Sequence, residues 1–433
     1  MKSTHPGDPS RALRLTFCGF TLAFLLAACI APDRADMLRG LGRILTGPAQ
    51  LTKDYFKPEL GGLSATMLNC ALVAAICTGL TCLPGAKLNG VTALAWFLTV
   101  GFGGFGMHPL NMLPLILGVM MYAKLKREPF ARHIHFAMFS TALAPLVSQV
   151  LLYYPDPAAG PAVTPLGVAL ALAVGAATGC AMPALCAHSP SLHKGFNLYN
   201  AGPAAGFMCF LLYALLYRTV GVEPPAIAAD LGGGHARFVN VFCGVCFALC
   251  LIAGLKLNGG PGGYRALLAD AGYRVDFTEK YSAGVCLMNL GVYGLFILLY
   301  YNLIGATFTG ATMGVVFCMV SCGFAGATPR NTLPILLGYG LMGLLHRLGL
   351  TAFAVNSQAL VVGLCFASGL APIAGRWGWL AGIAAGVLHA ALVTGVPVLH
   401  GGFCLYNGGF TAGIVCFLLV PLLERWHPRK IAD

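Results

Sequence analysis

Charge is what this sequence has least of. Asp, Glu, Lys and Arg together make up 9% of 433 residues, apolar ones 58%, and Asp and Glu number only 14. A chain so poor in charge cannot coat a water-facing surface of its own size, which excludes a sizeable soluble domain. Apolar runs recur from residue 15 to residue 423 with short interruptions. One crossing takes about 20 apolar residues, so this length allows about 12 to 14 crossings. The expected fold class is an all-α polytopic integral membrane protein.

Other absences narrow the function. No H-E-x-x-H, G-x-S-x-G or phosphate-cradling lysine motif occurs, so nothing points to an enzyme. The apolar segments hold almost no Asp or Glu, the usual relay residues of coupled pumps. A facilitated path is therefore expected over an energised one. The 17 cysteines are scattered through apolar stretches, Cys70, Cys180 and Cys365 among them, as small buried side chains would be. Cys243 and Cys246 form a lone C-x-x-C without a second pair or a His nearby, so neither a metal nor another cofactor is expected. The formal charge of +12 resides in loops between spans, where membrane topology explains it better than nucleic acid does.

What is present begins with those loops. With the N-terminus inside, Arg11, Arg14, Lys87, Lys124, Lys126, Arg132, Lys194, Lys256, Arg274, Lys280, Arg330 and Arg376 fall on the cytoplasmic side, and both termini lie there. Segment 33–60, on the opposite side, mixes acidic and basic residues and reads as an amphipathic surface helix. Leu26-Ala27-Ala28-Cys29 has the form of a lipoprotein cleavage box. Yet "FCGFTLA" at 17–23 recurs as "FCGVCFA" at 242–248, so the first apolar run reads as a retained span.

The chain also repeats itself. Residues 61–118 align on 281–338 without a gap: Asn69 meets Asn289, Gly90 meets Gly310, Phe97 meets Phe317, and "HPLNMLPLILG" meets "TPRNTLPILLG". Further on, "LHKGFNLYNAG" at 192–202 meets "LHGGFCLYNGG" at 399–409, and "FSTALAPL" at 139–146 meets "FASGLAPI" at 366–373. The copies run roughly 14–218 and 238–424. Equivalent spans are an odd number of crossings apart, so the repeats are expected to be inverted about an axis in the membrane plane.

Polar residues gather at two places per copy. The first is "GFGGFGMHPLNMLP" at 101–114, matched by "CGFAGATPRNTLP" at 322–334. Its glycines and prolines cannot form one regular helix, so a break is expected. A broken segment frees backbone groups for a solute, and the alternative is a plain turn between spans. Residues 90–125 and 309–346 are thus either full spans or re-entrant hairpins. His108, Asn111, Arg330 and Asn331 are the candidate contacts here. Arg330 reads either as an attractant for an anion or as a cytoplasmic anchor. The second place opens the last span of each copy, with His193, Tyr199 and Asn200, and His400, Tyr406 and Asn407. These side chains can line a narrow passage or cap and pack the helix.

"LHKGFNLYNAGPAAG" (192–206) and "LHGGFCLYNGGFTAG" (399–413) resemble a segment of the urea transporter superfamily that leads into a pore-facing helix, and "HPLNMLP" is similar in position to its Asn-Pro segment. The Leu-Pro-x-x-Thr-x-Pro-Phe selectivity motif of that family is missing, so urea is not implied. As a whole the chain is identified as a member of the domain of unknown function 1576 family of duplicated bacterial membrane proteins, a resemblance that implies a bacterial inner membrane and no substrate. The expected function is a channel or facilitative transporter for a small polar solute, in contact with the lipid bilayer. A secondary transporter of a small anion and a non-transporting membrane scaffold are the alternatives, and a homo-oligomer stays open.

Overall fold

The computed structural model describes residues 9–47, 49, 54–154, 156, 160–221 and 234–427. Among these the chain is helical, without a strand. The first copy holds α1 (Pro9–Ile30), α2 (Met37–Thr46), α3 (Leu63–Thr81), α4 (Gly90–Phe102), α5 (Pro109–Lys126), α6 (Ile134–Ser140), α7 (Ala144–Tyr153), α8 (Pro165–His188), α9 (Pro190–His193) and α10 (Ala201–Tyr213). The second holds α11 (Ala236–Asn258), α12 (Tyr264–Ala269), α13 (Phe277–Lys280), α14 (Ala283–Leu303), α15 (Gly310–Val320), α16 (Pro329–Arg347), α17 (Gln358–Ala367), α18 (Ala371–Trp377), α19 (Trp379–Val393) and α20 (Asn407–Trp426). Nine helical segments among the described residues are long and apolar enough to cross a membrane. Their outer faces expose Leu22, Leu72, Leu172, Phe210 and Leu249, as surfaces against lipid do. The molecule is a polytopic membrane protein. Segment 33–60 does contain a surface helix, α2, which packs Leu41 and Ile44 in a small cluster with Tyr55 and Ala65.

Lipid tails give apolar helices no reason to associate, so contact depends on small residues that let backbones approach. Both copies show this where the fifth and eighth helices meet, and their counterparts α16 and α19. A Cβ on Gly179 would lie 2.0 Å from the carbonyl oxygen of Leu115, and one on Gly386 would lie 2.2 Å from that of Ile335.

α4 is too short to span. Its 13 residues give about 20 Å at about 1.5 Å per residue, against a hydrocarbon core of about 30 Å. The turn behind it is held by Asn69, whose Nδ2 donates to the carbonyls of Gly103 (2.8 Å) and Met107 (2.7 Å). Asn69 sits inside α3, not at its end, so the chain turns back within the bundle. Asn289 repeats the clamp on Gly323 (2.8 Å) and Ala327 (3.1 Å). α4 and α15 are thus too short to be full spans by themselves, and the break expected in each copy falls at the turns that follow them, beside Asn69 and Asn289.

α4 and α15 pack on each other. Gly104 approaches the carbonyl of Gly310 so closely that a Cβ would lie 2.5 Å from it, and Gly90 stands in the same relation, 2.6 Å, to Phe324. Numbers rise along one helix as they fall along the other, so the pair is antiparallel. Gly104 and Phe324 are repeat counterparts, as are Gly90 and Gly310, so these are one contact seen from each copy. Equivalent elements running in opposite directions make the repeats inverted.

Each short helix starts with backbone N–H groups that no turn of its own can satisfy. Asn89 and Thr309 cap them locally, accepting from Thr92 N and Thr312 N. A second acceptor comes from the other copy. The Oδ2 of Asp276 accepts from Gly90 N at 2.9 Å, and the Oδ1 of Asp54 accepts from Gly310 N at 2.8 Å. A carboxylate there also complements the positive end of the helix dipole.

The loop carrying Asp276 is anchored by Asp270, which accepts from Lys280 Nζ (2.7 Å), Tyr281 OH (2.9 Å) and Gly272 N (2.9 Å). Gly272, at φ +75°, lies so close under Gly326 that a Cβ would sit 2.1 Å from its carbonyl oxygen. Partial burial pushes the Asp270 carboxyl up, but these hydrogen bonds and the Lys280 charge outweigh it, leaving the carboxyl below its ordinary value.

Asp54→Ala and Asp276→Ala are each expected to lower stability by about 1–3 kcal/mol, because a buried N–H loses its acceptor. Asn at either position should restore part of it, and thermal unfolding in detergent reads both. Unchanged midpoints would show that the exchange between copies is incidental. Because the Asp270 carboxyl is depressed in the folded state, its contribution is present above the usual Asp value of about 3.9 and is lost as pH falls through the lower folded value. Unfolding midpoints between pH 6 and acid should therefore fall less steeply in Asp270→Asn than in wild type.

Candidate functional site

Two helices break at matching places. Between α6 and α7 the chain tightens into a 3₁₀ turn at Thr141–Leu143, and between α17 and α18 at Ser368–Leu370. Pro145 and Pro372 follow each break. A proline in a helix removes a donor and displaces the carbonyls before it. The freed carbonyls are used by the opposite copy: Leu198 N donates to Gly369 O and Leu405 N to Ala142 O, both at 2.9 Å. Residues 196–200 and 403–406, the non-helical parts of the repeated motif, thus run beside the breaks. They deliver the chain to α10 and α20, whose starts cross where a Cβ on Gly202 would lie 2.4 Å from the carbonyl carbon of its counterpart Gly409.

The motif's polar residues divide into two groups. His193 and Asn200 bond to each other at 2.9 Å, and Asn200 Nδ2 donates to Cys186 O at 3.1 Å. His400 and Asn407 repeat this at 2.9 Å, with Asn407 Nδ2 on Val393 O at 3.1 Å. These four side chains tie the end of one helix to the start of the next. The Nδ1 of His193 accepts from Gly195 N at 3.2 Å, so the network assigns a neutral ring with its proton on Nε2.

Tyr199 and Tyr406 come together instead. Both are fully buried, their ring centroids are 5.8 Å apart in an edge-to-face arrangement, and Phe102 and Phe366 contact Tyr406 at 5.8 and 5.5 Å. Their hydroxyls differ. Tyr199 OH donates to Cys318 O (3.0 Å) and lies 3.1 Å from Ser368 Oγ. Tyr406 OH has no hydrogen-bond partner. Its equivalent acceptors are engaged elsewhere: Met138 O accepts from Thr99 and Thr141 hydroxyls, and Leu98 O from Cys318 Sγ.

The hairpin residues have local work. His108 and Asn111 form a reciprocal cap on α5, and Asn111 Nδ2 also reaches Ser148 Oγ at 3.0 Å. Asn331 forms the same box with Thr328 and donates to Gly326 O at 2.8 Å. Arg330 is exposed on the first turn of α16, and its counterpart Leu110 is exposed too. The structure thus joins Tyr199 to Tyr406, pairs each His with its own Asn, and leaves His108, Asn111 and Asn331 in the hairpin turns.

Sequence reasoning did not single out Asp54, Asp276, Ser368 or Thr141. The signal for the first two was an Asp followed by aromatic residues ahead of α3 and α14, slightly out of register with the surrounding repeat.

These features define a class, helical membrane proteins whose two inverted halves interlock through broken helices. The chain belongs to the family described as Protein of unknown function (DUF1576), matching it at residues 33–218 and 262–425. No curated protein and no solved structure matches the chain. The likeness to urea transporters finds no counterpart in these comparisons.

If the His–Asn pairs are clamps, His400→Ala leaves Asn407 Oδ1 unpaired at a buried site and should cost about 1–3 kcal/mol. Combining it with Asn407→Ala should give much less than the sum, with a coupling of about 0.5–3 kcal/mol. Additive losses in unfolding would rule out the clamp.

Proposed function

We propose that the protein carries a small uncharged polar solute across the membrane by alternating access, and that it is not an enzyme. The Tyr406 hydroxyl carries this reading. It is a fully buried polar group without a partner, set where the broken helices of both copies converge. An unmet hydroxyl in such surroundings costs about 1–3 kcal/mol, and a solute hydroxyl, amide or carbonyl would relieve it. Inverted repeats that share a midplane site are the usual construction of transporters. The seal of Phe102, Phe366 and the two tyrosines favours a carrier that opens in turn to each side over a standing channel.

No Lys or Arg among the described residues is buried, which leaves the anion reading without a cation at the centre. On our reading the membrane is a bacterial cytoplasmic membrane with both chain ends inside, as the basic loops support. The aromatic seal also favours a second reading, a scaffold that moves nothing.

Reconstitution in liposomes separates these. Carriage predicts saturable flux of neutral solutes such as short polyols and amides, independent of membrane potential. It should fall about tenfold in Tyr406→Phe, the equivalent of about 1.4 kcal/mol, while Tyr406→Phe keeps its fold. Flux no greater than in empty vesicles, from protein shown to be folded, would favour the scaffold. Potential-dependent flux of anions alone would restore the anion reading.

A further inference from the structure

α1 and α11 are repeat counterparts, and they meet at one end only. Phe24 and Phe242 are in ring contact there, with centroids 5.1 Å apart. Toward the other end the helices separate and, with the start of α14, enclose an open cleft of about 710 Å³. Its walls carry Thr16, Gly19 and Ala23 on α1 and Cys246, Cys250 and Ala253 on α11. Small residues at this spacing ordinarily draw membrane helices into contact. Here the two faces look at each other across a space wide enough to admit a chain.

The lining states what would fit. Apart from Thr16, whose hydroxyl donates to Ala12 O at 2.9 Å, the trough is apolar until its mouth. Arg11 stands there, exposed and on the lining. Arg14, one turn on, reaches the carbonyls of Thr81 (3.3 Å) and Ala86 (3.4 Å). The mouth thus opens at the end of the molecule where the basic loops gather. A greasy trough ending in a guanidinium matches one kind of membrane molecule, an acyl chain joined to a phosphate, which arginine can grip in a bidentate manner.

We infer that the cleft between α1 and α11 holds one anionic phospholipid, its chain against Gly19, Cys250 and Ala253 and its phosphate on Arg11. This assignment does not rest on transport.

Native mass spectrometry tests it on the full chain, purified in mild detergent and offered equal amounts of phosphatidylglycerol and phosphatidylcholine. The expected result is one phosphatidylglycerol retained per chain. Arg11→Gln, an exposed change that leaves the fold alone, should reduce the preference for phosphatidylglycerol about fivefold. Gly19→Leu fills the trough, and nothing lies within 4 Å of a Cβ at that position, so the variant should keep its unfolding midpoint while losing the lipid. Retention unchanged in Gly19→Leu, or preference unchanged in Arg11→Gln, overturns the assignment. So does a two-chain mass that falls to one chain in Gly19→Leu, which would assign the cleft to a second copy.

Discussion

A helix whose first N–H groups are buried by its neighbours must find acceptors for them within the protein. That constraint shapes this protein. α4 and α15 both begin this way, and each is completed by a carboxylate from the other copy, Asp276 on Gly90 and Asp54 on Gly310. Once those bonds exist, the short helices lie antiparallel with glycine against backbone, and the hairpin turns fall level with Asn69 and Asn289. The broken helices follow the same logic one layer away. Their 3₁₀ turns leave carbonyls that cannot be met within the helix, and Leu198 N and Leu405 N from the opposite copies meet them. The halves are held together by mutual supply of hydrogen bonds more than by any apolar attraction, which lipid would satisfy equally well.

Departures from the repeat then become informative. The Tyr199 hydroxyl has partners and the Tyr406 hydroxyl has none, although both sit at equivalent positions. In the second copy Tyr339, His389 and the carbonyl of Gly408 form a buried hydrogen-bonded chain at 2.7 and 2.9 Å. The first copy has Val119 and Met182 in place of that pair. Much of what recurs between the copies is therefore architecture.

Much of the fold was legible in the sequence. Apolar runs of spanning length gave the membrane class, and residues such as Asn69 and Asn289 aligned the copies. The shortness of α4 was not legible, because a 13-residue helix, a glycine turn and an 18-residue helix have the same composition as two spans. The caps by Asp54 and Asp276 join residues 256 and 186 positions apart, a distance at which no local pattern helps. At the candidate site, His193, Asn200, His400 and Asn407 stood out because they recur, and recurrence marks shared structure as readily as function. Whether a tyrosine hydroxyl is met depends on carbonyls of two other helices, Cys318 O and Cys365 O for Tyr199, which sequence does not display.

The exchange of caps also constrains the birth of the protein. A ribosome releases the first copy into the membrane with Gly90 N–H still waiting for a carboxylate 186 residues further along the message, and Asp54 waiting 256 residues for Gly310. The opening helices are completed late in synthesis. These two caps close only once residues 276 and 310 have been made.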